Sequence, residues 1–279
     1  MEKKGGSVIY NSHGELDLKQ IADSGQCFRL QEYDKDKFIA VTGTHAVDIH
    51  RRNDRYVFYC DREEFQTVWT PYFDLNTDYR IFKAQMQDDP FLRAAVAEGN
   101  GIRILRQDLW EAVVTFTISQ RNSIPRIAKS VKCLCENFGT PLKEIGGRQI
   151  YAFPTPDQLL WPDLSVASLG YRELYIKLLC KYSDDMWRNL PMLSDAKAKE
   201  TLLSMKGIGE KVANCIMLFG LHRMNSYPRD VWINRLIDDV YHGGFDLGKY
   251  DGFAGYVQQL QFYHYRKKNL TKMRGENNA

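Results

Sequence analysis

A lysine and an aspartate in the last third of the chain have the types and spacing of a nucleophile and its electrostatic partner. Lys211 follows a short Gly-x-Gly turn between two amphipathic runs, and Asp230 comes 19 residues later, behind Pro228. A lysine amine can attack an electrophilic carbon and form a Schiff base when the amine is neutral. A fixed carboxylate can stabilise positive charge that develops on a sugar carbon during the attack. The pair therefore indicates an enzyme that attacks a sugar.

The turn before the lysine is typical of a hairpin that binds a nucleic-acid backbone. Residues 195–206 consist of strong helix formers behind a preferred N-cap, and Gly207 and Gly209 interrupt this helix. Both glycines are predicted to provide positive φ in so short a loop. The free N–H groups of the loop and of the next helix, predicted for 210–221, can hold one phosphate. Taken alone, the pattern also describes an ordinary surface lysine after a glycine turn.

Together with this hairpin, five motifs elsewhere in the chain resemble those of the 8-oxoguanine DNA glycosylases of the helix–hairpin–helix superfamily. The motifs span nearly the whole chain in matching order: Ser24-Gly-Gln-Cys-Phe-Arg29, Gly101-Ile-Arg-Ile-Leu-Arg-Gln-Asp108, the Asn-containing loop 119–127, Gly170-Tyr-Arg172 and Gly255-Tyr-Val-Gln-Gln-Leu-Gln-Phe262. With a lysine in the hairpin, the chain resembles the bifunctional members of the family, since the monofunctional alkyl-base glycosylases lack this lysine. The resemblance implies excision of 8-oxoguanine from duplex DNA, opposite cytosine, through a lysine Schiff base and β-elimination.

The resemblance also implies roles for individual residues. Lys211 is the expected nucleophile and Asp230 the expected catalytic carboxylate. The expected pocket for the extruded base is formed by Gly25, Cys215, Gln258 and Phe262. The side chains expected to fill the gap in the duplex and to hold the opposite base are Asn122, Arg126, Tyr171 and Arg172. The backbone of Gly207 and Gly209 is expected to contact DNA.

The chemistry of the pocket residues agrees with these roles. Gln258 and Phe262 are four residues apart and share a helix face, where an amide can bond a base edge and a ring can stack on the base. An isolated pair of this kind is more often a core phenylalanine beside a surface glutamine. In the family, the carbonyl of the glycine that corresponds to Gly25 accepts the N7–H of oxidised guanine. Guanine has no N7–H, so its N7 lone pair would instead face the lone pair of the carbonyl oxygen. A plain turn glycine is the alternative.

Two positions depart from the family pattern. Arg121 stands where an asparagine is frequent, which weakens the expectation of a cytosine preference, and Arg229 stands where a small apolar residue is usual. Arg126 and Arg172 are also compatible with surface salt bridges. Two alternative functions stay open: a glycosylase for another damaged purine, and a non-catalytic DNA-binding protein. The presence of both the lysine and the aspartate favours an enzyme, because backbone binding needs neither.

The chain-wide pattern predicts an α+β protein. Residues 1–98 are expected to form an N-terminal domain with an antiparallel twisted sheet and helices, and 99–279 a mostly helical glycosylase domain. The helix–hairpin–helix, at about 195–221, and the catalytic aspartate belong to the second domain. β-rich runs between turn signals predict strands at 38–42, 46–50 and 55–60. Periodicity predicts helices at 61–70, 77–98, 108–119, 124–138, 155–168, 171–183, 195–206, 210–221, 230–242 and 249–265.

Composition narrows the class of protein without identifying it. The 279 residues are 44% hydrophobic and 26% charged, which is ordinary for a globular protein. The net charge of +3 is weak evidence for a nucleic-acid partner. The basic run 266–274 either contacts phosphates or is a solvated tail. No stretch approaches the ~20 apolar residues that span a bilayer, and the first residues lack a secretory apolar segment, so no membrane role is expected.

The six cysteines are scattered, and none follows Asp230, where the related endonuclease III enzymes carry an iron–sulfur loop. We therefore expect free thiols, no side-chain metal site and no cofactor. Carbonyls of the hairpin 205–209 could bind a monovalent or divalent cation. The expected partner is double-stranded DNA containing oxidised guanine, bound by a monomer. The expected location is the cytoplasm or nucleoid of a bacterium, or the nucleus of a eukaryote.

Overall fold

The computed structural model describes residues 6–276, and it has the predicted α+β architecture. An antiparallel sheet with short helices comes first, and helices dominate the rest of the chain. The described part does not include the side chains of 271–276, so those of the second half of the basic run 266–274 lie outside it. Within the described part, no helix combines the length and the apolar character needed to cross a membrane.

The N-terminal sheet is antiparallel, with its strands in the order β1-β5-β4-β3-β2. Its strands are β1 (Val8–Asn11), β2 (Leu30–Asp34), β3 (Lys37–Thr42), β4 (His45–Arg52) and β5 (Arg55–Phe58). The three strands predicted from the sequence are β3, β4 and β5, whose alternating apolar residues pack against Leu18 and Trp69. The sequence did not reveal β1 and β2, because these short edge strands pair on one side only and include polar residues.

The helices that follow supply most of the core. They are α1 (Leu18–Asp23), α2 (Arg62–Glu64), α3 (Thr70–Tyr72), α4 (Tyr79–Ala84), α5 (Pro90–Glu98), α6 (Leu109–Ile118), α7 (Ile124–Phe138), α8 (Pro156–Leu160), α9 (Arg172–Leu179), α10 (Asp184–Asn189), α11 (Asp195–Ser204), α12 (Glu210–Cys215), α13 (Val231–Tyr241) and α14 (Ala254–Glu276). A π-helical segment, Phe65–Trp69, joins α2 to α3, and another, Ile216–Gly220, extends α12. The predicted helices at 61–70, 108–119, 124–138, 195–206, 210–221 and 230–242 are present, with ends shifted by a few residues.

Three predicted helices are wrong in extent. The segment 77–98 contains two helices, because Asp89 caps a new helix and Pro90 occupies its first position. In the segment 155–168 the helix stops at Leu160, and the rest contains only a 3₁₀ turn, Ser165–Ala167. The segment 249–265 begins as a 3₁₀ turn and becomes α14 after Gly252, which has φ +86°.

Two elements inside the predicted helical half were missed. One is α10, which comes after a shorter α9 than the predicted 171–183. The other is a hairpin of β6 (Pro141–Ile145) and β7 (Arg148–Tyr151). Ile145 of this hairpin packs against Ile39 and Val41 on the N-terminal sheet, more than 100 residues away in sequence.

The largest core surrounds α6, which is buried along nearly its whole length. Phe116 of α6 stacks on Phe219, and the same core includes Met86, which follows α4, and Leu92 of α5. Apolar packing therefore runs across residue 98. The domain boundary placed there stays a prediction.

Candidate active site

The hairpin between α11 and α12 uses its two glycines differently. Gly207 has φ +96°, and a Cβ there would lie 2.5 Å from Tyr175 Cγ. Only glycine fits such a position without strain. Gly209 has φ −99° and ψ 178°, an extended conformation that any residue adopts. The prediction that both glycines provide positive φ is therefore right for Gly207 and wrong for Gly209.

The start of α12 is open to solvent. Gly209 is the N-cap and provides no side-chain cap bond, and both Gly209 and Glu210 are exposed. A Cβ at position 209 would meet nothing within 4 Å. The first N–H groups of α12 are thus accessible to an anion, which the positive end of the helix favours.

Lys211 is half-buried in the first turn of α12, and the end of α6 holds its amine. Its Nζ donates to Ser119 Oγ at 2.9 Å and lies 5.6 Å from the centre of the Phe116 ring. A ring face attracts an ammonium group at this range. The amine position is therefore set jointly by α6 and α12.

Asp230 is the N-cap of α13, as the sequence predicts. Its Oδ1 accepts from Trp232 N at 3.0 Å and from Ile233 N at 2.9 Å. These bonds fix the carboxylate at the helix start. Its Oδ2 makes no hydrogen bond to any residue in the described part of the chain. One carboxylate oxygen thus holds the helix, and the other remains available to a developing positive charge.

Cys215 is a buried thiol that both Lys211 and Asp230 influence electrostatically. It lies one turn after Lys211 on α12 and is 3% exposed. Burial raises the pKa of its thiol, the Lys211 amine beside it opposes the rise, and the Asp230 carboxylate adds to it. The thiol is accordingly neutral at pH 7. Both charged groups therefore lie within electrostatic range of this thiol, although Asp230 is 15 residues away in sequence.

Gln258 on α14 is a buried amide with an unused acceptor. It is 5% exposed, and its Oε1 has no hydrogen-bond partner among the described residues. Buried side-chain oxygens nearly always find a partner, since an unpaired one costs free energy. An unpaired amide oxygen is what a site needs when its ligand supplies the donor.

Gly25 and Phe262 lie side by side. Gly25 has φ +78°, and a Cβ there would lie 3.3 Å from Phe262 Cε1 and 3.1 Å from Ile124 Cδ1. Gln259 Nε2 donates to Ser24 O at 2.8 Å, which ties α14 to the same segment. Three parts of the chain that are distant in sequence therefore meet at Gly25: the segment before β2, the start of α7, and α14.

The residues expected to contact the gap and the opposite base lie on the surface. Asn122 is half-buried, and its Nδ2 donates to Ile118 O at 3.2 Å. Arg126 is exposed on the first turn of α7. Tyr171 is 50% exposed, and the Arg172 guanidinium lies 4.6 Å from its ring centre.

The guanidinium of Arg172 is bound to backbone carbonyls. Its Nε donates to Gln120 O at 2.8 Å, its Nη1 to Leu169 O at 3.1 Å, and its Nη2 to Arg121 O at 3.0 Å. Arg121 itself is exposed and has φ +46°, an uncommon conformation for a residue other than glycine. Arg172 thus fastens the loop that presents Arg121, and a contact from Arg172 to cytosine requires an exchange of some of these bonds.

Sequence reasoning missed two residues of the site, Ser119 and Gln120. Ser119 accepts from the Lys211 amine, and Gln120 Nε2 donates to Gly207 O at 2.9 Å. Their partners are 92 and 87 residues away in sequence. Polar residues at a helix end carry no local signal of such partners.

No group of three or more His, Cys, Asp or Glu side chains in residues 6–276 is placed to hold a metal ion. All six cysteines are free thiols, as predicted. The carbonyl of Gly207, one of those that could face a cation, accepts a hydrogen bond from Gln120.

Comparison with known proteins gives a consistent result. Residues 8–113 match the N-terminal domain of the 8-oxoguanine DNA glycosylases. The chain is 33% identical to an 8-oxoguanine glycosylase/lyase of Clostridium acetobutylicum, solved with double-stranded DNA containing cytosine opposite 8-oxoguanine; the match covers 96% of this chain and 98% of that one, with a TM-score of 0.88. MBOgg1, solved with a low-affinity DNA ligand, is 32% identical over 96% of this chain and 98% of its own, with a TM-score of 0.89. An N-glycosylase/DNA lyase of Saccharomyces cerevisiae is 28% identical over 86% of this chain and 72% of its own.

Proposed function

Since the chain belongs to the 8-oxoguanine DNA glycosylase family of helix–hairpin–helix enzymes, and is a bifunctional DNA glycosylase and AP lyase, we propose specific roles for the residues of its site. Its macromolecular partner is double-stranded DNA. The roles that follow are proposals for this chain, supported by the positions of Lys211, Cys215 and Asp230.

Lys211 is the nucleophile. Its amine attacks C1′ of the extruded nucleotide, the bond from C1′ to the base breaks, and the base leaves with the electron pair of that bond. The lysine nitrogen, now bound to C1′, loses a proton, and its lone pair expels the ring oxygen O4′, so that the sugar opens and a Schiff base forms. Removal of a C2′ proton then expels the 3′ phosphate by β-elimination, which nicks the strand. The half-buried position of the amine beside Cys215 keeps it away from bulk water.

Asp230 stabilises the positive charge that develops on the sugar as the base departs. Its Oδ1 is held by two backbone N–H groups, so the carboxylate is preorganised rather than mobile. Its charge also acts on the Cys215 thiol, one turn from Lys211, which supports a role beside the nucleophile. A preorganised charge costs no rearrangement during the reaction.

Gly25, Cys215, Gln258 and Phe262 form the pocket for oxidised guanine. The Oε1 of Gln258 has no partner among the described residues and could accept a hydrogen bond from the edge of a base, and the half-buried ring of Phe262 could stack on the plane of the base. The carbonyl of Gly25, beside this ring, is the proposed acceptor for the N7–H that distinguishes oxidised guanine from guanine.

The remaining residues hold the DNA. The hairpin at Gly207 and Gly209 binds a phosphate through its N–H groups, and its carbonyls could also bind a cation. Four side chains face the gap and the opposite base, which we propose is cytosine: Asn122, Arg126, Tyr171 and Arg172. The exposure of Arg126 and Tyr171 supports this role.

The observation that carries the proposal is the placement of Lys211 and Cys215 one turn apart on α12, with the Asp230 carboxylate within electrostatic range of the Cys215 thiol. An excision assay tests it with duplexes that contain 8-oxoguanine opposite cytosine, 8-oxoguanine opposite adenine, or an alkylated adenine. We expect base release and a nick with 8-oxoguanine opposite cytosine. Release of the alkylated adenine alone would make the chain a glycosylase for another purine, and tight binding without release would make it a DNA-binding protein.

A further inference from the structure

The hydroxyl of Ser119 stands between the nucleophile and the end of α6. Its Oγ donates to Phe116 O at 2.7 Å and lies 2.9 Å from Lys211 Nζ. Ser119 is the C-cap of α6 and half-buried. No role for this residue follows from the chemistry of the base pocket or from the DNA-contacting loop.

The direction of the hydroxyl proton is settled by its neighbours. At the end of α6, Gln120 N donates to Thr117 O, which leaves Phe116 O without the N–H that a continuing helix would supply. The Ser119 hydroxyl supplies a donor to that carbonyl, and a carbonyl can only accept. Towards Lys211, the Ser119 oxygen therefore acts as an acceptor.

This arrangement matters for a neutral amine, which has one lone pair and two N–H donors. If the serine proton pointed at the amine, it would bind the lone pair that attacks the sugar. Because that proton is committed to Phe116 O, Ser119 takes one N–H of Lys211 and leaves the lone pair free. We propose that Ser119 is a positioning residue that directs the attacking lone pair of Lys211 away from α6.

The loop around Ser119 is rigid enough for this task. The next residue, Gln120, donates from its side chain to Gly207 O and accepts at its backbone carbonyl from Arg172 Nε. These bonds fix the end of α6 to the hairpin that carries the nucleophile and to the start of α9. The proposal rests on the proposed role of Lys211 and adds the group that orients its amine.

Ser119→Ala removes the acceptor and Ser119→Thr keeps it, since a threonine hydroxyl at a helix end can make the same bond to a preceding carbonyl. Under single-turnover conditions with 8-oxoguanine opposite cytosine, we expect Ser119→Ala to excise about tenfold more slowly, the effect of about one hydrogen bond. Its affinity for the same duplex should match that of the wild type, and Ser119→Thr should recover most of the rate.

Ser204→Ala is the matched control. Ser204 Oγ makes the same bond to a carbonyl three residues earlier, Thr201 O at 2.7 Å, but holds no amine. A thermal melt of each variant separates loss of fold from loss of rate. A wild-type rate in Ser119→Ala would overturn the proposal, as would a slow but fully folded Ser119→Thr. If the wild type itself excises nothing, the proposed function fails instead.

Discussion

At the scale of the residue, Asp230 combines a structural and a chemical role in one carboxylate. The N-cap bonds use Oδ1, and the proposed charge stabilisation uses the side chain's negative charge. Asparagine is as good an N-cap as aspartate but has no charge. The two roles can therefore be separated by substitution.

We predict that Asp230→Asn folds as stably as the wild type but excises 8-oxoguanine on the order of 10²-fold more slowly, the usual effect of removing one preorganised electrostatic group. Asp230→Ala should be slow and should also lose about 1 kcal/mol of stability through the missing cap. Single-turnover rates and urea unfolding measure both quantities. An Asn variant that retains the wild-type rate would remove the aspartate from the mechanism.

Gly25 provides a second prediction at this scale. Gly25→Ala and Gly43→Ala both force a side chain into a positive φ, at +78° and +52°, which costs about 1 kcal/mol each. Only the first adds a Cβ against Phe262 and Ile124, whereas the second meets nothing within 4 Å. We expect similar melting temperatures for the two variants and at least tenfold slower excision for Gly25→Ala alone. Equal excision rates would place Gly25 outside the base pocket.

The sequence predicts site roles for Lys211, Asp230 and the pair Gly25 and Phe262 because each has a distinctive type in a recognisable local context. It did not identify Ser119, since serine at a helix end is common and its amine partner is remote in sequence. Local patterns reveal which groups can react. They do not reveal which neighbours orient those groups.

At the scale of the element, the hairpin depends on one of its glycines more than on the other. A Cβ at Gly207 would meet Tyr175 Cγ at 2.5 Å, but one at Gly209 would meet nothing within 4 Å. Tyr175 also stacks edge-on with Tyr171, with ring centres 5.8 Å apart, so a displaced hairpin would disturb the DNA-facing segment too.

We predict that Gly207→Ala loses about 3 kcal/mol of stability, through positive φ and overpacking against Tyr175. Gly209→Ala should lose about 1 kcal/mol or less, because only an N-cap preference changes. Urea unfolding of the two variants measures the difference. Equal losses would mean that the hairpin relaxes away from Tyr175 at no cost.

Helices and central strands followed from periodicity, and the errors have identifiable causes. The segment 77–98 was predicted as one helix, although Pro90 marks a new helix start. The hairpin of β6 and β7 was missed because its apolar residues pack in a cluster with residues of a sheet that is distant in sequence. Tertiary contacts decide such segments, and a single sequence does not display them.

At the scale of the whole molecule, a buried polar cluster joins the N-terminal sheet to the helical core. Arg29, just before β2, donates to Cys135 Sγ on α7 and to Tyr151 O at 2.5 Å. Glu111 on α6 belongs to the same cluster, is 5% exposed, and its Oε2 has no partner among the described residues. Burial raises the pKa of Glu111 to about 7, although Arg29 opposes the rise.

This pKa has a consequence for stability. A carboxyl whose pKa is raised on folding binds its proton more tightly in the native state, so its contribution is complete below the unfolded pKa and is lost as pH rises towards the folded one. For Glu111 the window runs from the ordinary glutamate pKa of 4.5 to about 7. We predict that Glu111→Gln, a neutral mimic of the protonated acid, gains stability relative to the wild type as pH rises through this window.

Urea unfolding of both proteins at pH 5 and pH 7.5 measures the effect. Glu136→Gln, on the surface of α7, is the control and should show no such gain. A constant difference between Glu111→Gln and the wild type would mean that folding does not raise the pKa of Glu111.

Borohydride trapping tests the central claim, that Lys211 forms a Schiff base with the sugar of an oxidised guanine nucleotide. The wild type, Lys211→Gln and the control Lys197→Gln, whose lysine pairs with Glu200 on α11, are each incubated with a duplex carrying 8-oxoguanine opposite cytosine. We predict a covalent protein–DNA adduct with the wild type and the control and none with Lys211→Gln. An adduct in Lys211→Gln, or base release by the wild type without any adduct, would contradict the assignment of Lys211 as the nucleophile.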